Sequence, residues 1–89
     1  MARENPEKLI LNVGQRVAEL RQLADLSQEQ LAESLGVSVQ YLSRVELGTN
    51  LTLTTLTKLA NALRVPVTDL LLPAGPQMRV RRGRPRKNR

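Results

Sequence analysis

Over the first 72 residues apolar side chains return every three or four positions, and the breaks in that rhythm fall mainly on Gly, Pro or hydroxyl residues. Ile10, Val13, Val17, Leu20 and Ala24 mark one face of a helix predicted over about 7–24, with Pro6 suited to an early helical position and Glu7 to the positive helix start. Ser27 can cap a second helix over 28–35, and Gln30, three residues on, completes a capping box. Gly36 suits a left-handed helix end, and Ser38 suits the cap of a third helix whose Leu42 and Val45 point inward and which Gly48 closes. Thr52 opens a fourth helix bearing Leu53, Leu56, Leu59, Ala60 and Leu63, and Val65-Pro66 interrupts it. A short fifth helix is expected over 67–71, and Pro73-Ala74-Gly75-Pro76 then reads as a hinge into a tail too poor in apolar residues to fold alone. The expectation is an all-α, compact five-helix domain over 1–72, followed by a hinge and disordered basic tail over 73–89. There is no internal repeat.

Composition narrows the chemistry. With one Tyr and no Phe or Trp, the core must be aliphatic, which favours helices packed through Leu, Val, Ile and Ala. The absence of Cys and His excludes zinc fingers and disulfides and removes the commonest general base. No nucleophile with a base, paired carboxylates or phosphate-cradling glycine loop is present, so neither an enzyme nor a cofactor is expected. No apolar run reaches the roughly 18 residues of a membrane span, and the polar opening Met1–Pro6 is unlike a signal peptide; a cytoplasmic protein is expected. Charge is unevenly distributed: 7 of the 14 basic residues lie in 79–89, leaving 7 against 8 acids, about −1, in residues 1–78. A near-neutral domain thus carries a +7 arm suited to a polyanion.

A capped short helix, the tight turn Gly36-Val37-Ser38 and a second short helix form a helix-turn-helix pattern. If Leu42 and Val45 face the core, Val39, Gln40, Ser43 and Arg44 face outward. Gln40 can contact adenine and Arg44 guanine in bidentate fashion, Val39 can meet a thymine methyl, and Ser43 is permissive. The plainer alternative makes Gln40 and Arg44 a solvated helix face and Val39 a turn-packing residue. Tyr41 can touch a phosphate or sugar, or can pack.

Residues 27–50, SQEQLAESLGVSVQYLSRVELGTN, resemble the phage-repressor and Cro-type (XRE) helix-turn-helix family, and the similarity continues through TLTTLTKLANALRVPVTDLL. It covers about Gly14 to Leu72 and implies a lambda-repressor-like domain bound to double-stranded DNA. By that resemblance Gln28 grips a phosphate at the start of the second helix, and Thr49, Asn50 and Thr52 hold the backbone from the loop after the recognition helix. This loop departs from many relatives in having no Lys or Arg. Arg21 and Glu46 fall where the family has a partly buried ion pair. The resemblance also implies a homodimer through the end of the domain that carries Leu70, Leu71 and Leu72, with recognition helices about 34 Å apart. Leu9, Ile10 and Leu11 are a second interface candidate.

The tail resembles an AT-hook: Arg82-Gly83-Arg84-Pro85 is its core, and Arg79, Arg81, Arg86, Lys87 and Arg89 add positive charge. Such a segment enters an A·T-rich minor groove or binds phosphates nonspecifically. The combined expectation is a sequence-specific transcriptional regulator, a dimeric repressor on an inverted repeat. The alternatives are an antitoxin with a toxin partner, a restriction-modification controller, and a weakly specific architectural DNA-binding protein; a polymerase subunit is a further conceivable protein partner.

Overall fold

The computed structural model describes residues 3–75. Four α-helices, α1 (Pro6–Leu23), α2 (Gln28–Leu35), α3 (Val39–Gly48) and α4 (Leu53–Leu63), are followed by a 3-10 helix, η1 (Val67–Leu71). Each α-helix begins on a side chain that accepts hydrogen bonds from otherwise unpaired backbone N–H groups. Asn5 Oδ1 accepts from Glu7 and Lys8, Ser38 Oγ from Tyr41, and Thr52 Oγ1 from Thr55. At α2 the capping box is reciprocal: Gln30 N–H donates to Ser27 Oγ at 3.0 Å, and Ser27 N–H to Gln30 Oε1 at 2.8 Å. Gly36 ends α2 in the left-handed region, with φ 71°.

Two boundaries differ from the sequence expectation. With Asn5 as its cap, α1 starts at Pro6, and it ends at Leu23, just before Asp25 turns at φ 62°. The expected fifth helix is not α-helical. Only five residues lie between Pro66 and Leu72, too few to establish an α-helical ladder, and the backbone instead closes three-residue steps, Asp69 N–H to Pro66 O and Leu72 N–H to Asp69 O.

The core is aliphatic, with Val13, Val17, Leu20, Leu31, Ala32, Leu42, Val45, Leu59, Ala60, Leu63 and Leu70 buried together. Leu70 has no exposed surface, so it is a core residue and not a subunit contact; Leu71 and Leu72 remain about half exposed. α1 packs against α3, η1 and α4. Its seat on α3 depends on Gly14, where an added Cβ would lie 2.6 Å from Val45 O and 2.8 Å from Glu46 O.

The opposite flank of α1 holds the end of the described chain. Arg16 and Glu19 are both 4% exposed and paired with each other. Arg16 Nε donates to Asp69 O, Asn12 Nδ2 to Leu72 O, Ala74 N–H to Asn12 Oδ1 and Gly75 N–H to Glu19 Oε2. Ala74 and Gly75, within the segment expected to act as a hinge, are thus held to α1 as a short strap. Proline and glycine end the helix there, but side chains of α1 still bind the backbone that follows.

Candidate nucleic-acid interface

Burial of Leu42 and Val45 sets the rotation of α3, and Gln40 and Arg44 emerge on the exposed side. Neither side chain hydrogen-bonds to another described residue, so both hold unused donors in a side-by-side, one-turn relationship. Ser43 between them is half-buried. Val39 is half-buried and packs on the core, as does Tyr41. Tyr41 also lines a small cavity of about 170 Å³ with Leu35, Val37, Leu42, Val45, Thr55, Lys58 and Leu59.

Glu46, on the inward side of the same helix, accepts from Arg21 Nε at 2.7 Å, Arg21 Nη2 at 3.2 Å and Gln28 Nε2 at 2.9 Å. Arg21 Nη1 also donates to Leu26 O in the turn between α1 and α2. The expected Arg21–Glu46 pair is present, with side chains only 13% and 8% exposed. Its link to Gln28 was not part of the sequence reading. One carboxylate thereby joins α1, the first residue of α2 and α3, and Gln28 serves as a strut at the position proposed to hold a phosphate.

After α3, Thr49 Oγ1 donates to Arg44 O, and Thr52 Oγ1 donates to Thr55 Oγ1 while capping α4. Both hydroxyls therefore shape the loop. Asn50 is exposed and makes no side-chain hydrogen bond to another described residue. The residues that sequence reasoning missed are Gly14, which lets α3 approach, and Asn12, Arg16 and Glu19, which hold the strap. Their only signal was spacing, since 12, 16 and 19 share one helical stripe. Arg79, Arg81, Arg82, Gly83, Arg84, Pro85, Arg86, Lys87 and Arg89 lie outside the described residues, and so does the AT-hook reading.

This geometry coincides with a family match: the helix-turn-helix family model aligns with residues 17–70. The chain belongs to the helix-turn-helix family. That family is not an enzyme class. An "Uncharacterized HTH-type transcriptional regulator" from Sinorhizobium medicae (strain WSM419) is 34% identical to this helix-turn-helix protein over 67 residues, covering 74% of the chain and 48% of the relative. The chain thus spans about half the length of the curated relatives it matches. Among solved structures, the restriction-modification controller protein C.AhdI from Aeromonas hydrophila has 40% identity and a TM-score of 0.65, covering 68% of this chain and 94% of its own. The master regulator for biofilm formation SinR, solved in complex with DNA, has 39% identity and a TM-score of 0.62, covering 67% and 98% respectively. Among the described residues no helix is long and apolar enough to cross a membrane.

Proposed function

We propose that the chain is a cytoplasmic, sequence-specific DNA-binding transcriptional regulator, a repressor that sets α3 into the major groove. The observation that carries this reading is the pair Gln40 and Arg44, exposed on α3 with no partner among the described residues while Glu46 fixes the same helix from behind. Gln40 and Arg44 read base edges, with Val39 and Ser43 at the margins. Gln28, Tyr41, Asn50, Thr49 and Thr52 flank them on the backbone side. The exposed Leu71 and Leu72, with Leu9 and Leu11 on α1, provide apolar area for a homodimer. Residues 79–89 add phosphate or A·T minor-groove contacts.

Similarity to C.AhdI favours a second reading at the level of biological setting, a restriction-modification controller. Selection of bound sequences from a pool of randomised duplexes tests the proposal. An enriched inverted repeat supports a dimeric regulator, with A·T runs beside it pointing to the arm. Enrichment of base composition alone would contradict sequence-specific reading and favour an architectural role.

A further inference from the structure

Behind α3, on the side turned away from Gln40 and Arg44, the cavity of about 170 Å³ lies where α3, α4 and the end of α2 meet. The fully covered Leu42, Val45 and Leu59 line it together with Leu35 and Val37, so its walls are mainly aliphatic. An apolar cavity of about 150 Å³ holds a guest the size of benzene, because the guest supplies dispersion contacts that the lining otherwise lacks. Among the described residues, Lys58 is the one charged side chain that lines this cavity, and it also lines an adjoining surface recess with Ser34, Leu35, Asn61 and Ala62. Lys58 is exposed and has no ion-pair partner among the described residues, and the Asn61 side chain has no hydrogen bond to another of them. Thr55, one turn before Lys58 on α4, adds a hydroxyl. An aliphatic pocket with a cationic, hydrogen-bonding rim complements a molecule with an apolar body and a single negative head.

We propose that this pocket is an effector site for a small monocarboxylic acid. A branched body of about four or five carbons occupies the cavity, and the carboxylate meets Lys58 with Thr55 and Asn61 beside it. Long-chain acids are too large for the space. Leu42 and Val45 also set the rotation of α3, and Glu46 ties the same helix to Arg21 and Gln28. A guest between α3 and α4 adds a second tie, so less ordering of α3 is left for DNA binding to supply. Acid and operator should therefore tighten each other's binding by one common factor, about 5- to 10-fold. This consequence rests on the regulator reading above; the binding of the acid does not.

Tyr41 lines the cavity and is the only tyrosine in a chain without tryptophan, so its fluorescence reports occupancy. The full chain is titrated with 4-methylpentanoate, its neutral amide and acetate. Saturation by 4-methylpentanoate with a Kd of about 0.1–1 mM is expected. The amide should bind about 2- to 5-fold more weakly, and acetate should have no effect at the same concentrations. Lys58→Gln, a change at an exposed position, should remove the acid's advantage while leaving the affinity of the amide unchanged. No saturable response to 4-methylpentanoate, an equal response to acetate, or equal weakening of acid and amide by Lys58→Gln would overturn the site. Titration of the selected duplex with and without 4-methylpentanoate checks the coupling, and an unchanged DNA affinity with the acid bound would overturn the effector role. Failure to select any duplex would overturn the regulator reading and the effector role, leaving the fluorescence titration to decide the site.

Discussion

Glu46 receives three N–H donors from Arg21 and Gln28, and most of its surface is covered, so removal of one partner strands charge away from water. Arg21→Ala or Glu46→Ala should each lower stability by about 3–5 kcal/mol, whereas the double change Arg21→Met with Glu46→Leu should be close to neutral. Urea unfolding of the four proteins forms the required cycle, and additive losses would show that the pair does not act as a buried unit. The sequence exposed this pair through family resemblance, and exposed Gln40 and Arg44 through helical phase, because the buried Leu42 and Val45 leave little freedom in how α3 is turned. The Gln28–Glu46 bond was hidden because it depends on how far α2 is swung toward α3, which no local pattern encodes.

At the scale of elements, α2, α3 and α4 were legible because each opens on a short polar cap and carries a periodic apolar stripe, while α1 was legible from its stripe with Pro6 and Glu7, its Asn5 cap going unread. η1 was misread as α-helical because Val67–Leu71 has suitable residues but too few of them. The bonds of Asn12, Arg16 and Glu19 to the backbone of Asp69, Leu72, Ala74 and Gly75 were not legible, because they join positions more than fifty residues apart and no local pattern encodes them. Gly14 was equally opaque, since a glycine within a helix reads as a weak helix former and not as a site of close approach. Its true role predicts the effect of Gly14→Ala. The new methyl would press on the carbonyls of Val45 and Glu46, and separating α1 from α3 should cost about 1–3 kcal/mol, despite alanine's better helix propensity. A rise in the thermal midpoint would show that the two helices part freely.

The whole molecule separates recognition from charge. Residues 1–78 are close to neutral and contain the exposed face of α3, while 79–89 contain seven basic residues. If the arm neutralises about six phosphates per chain, the logarithm of DNA affinity should fall against the logarithm of salt concentration with a slope of about −5 from this segment alone. Deletion of residues 76–89 should flatten the salt dependence by that amount while preserving the order of preferred sequences. An unchanged slope would place the phosphate contacts on the helical domain.

Base reading by Arg44 and Gln40 of α3, as proposed, is tested by a base-pair substitution scan across the selected operator, run with the native chain and with Arg44→Ala. The native protein should lose about 1–3 kcal/mol when the pair facing Arg44 is changed, and Arg44→Ala should become indifferent at that one position in each half-site while discriminating at the others. Uniform weakening by Arg44→Ala at every position would instead make Arg44 a backbone contact and move sequence recognition elsewhere on the molecule.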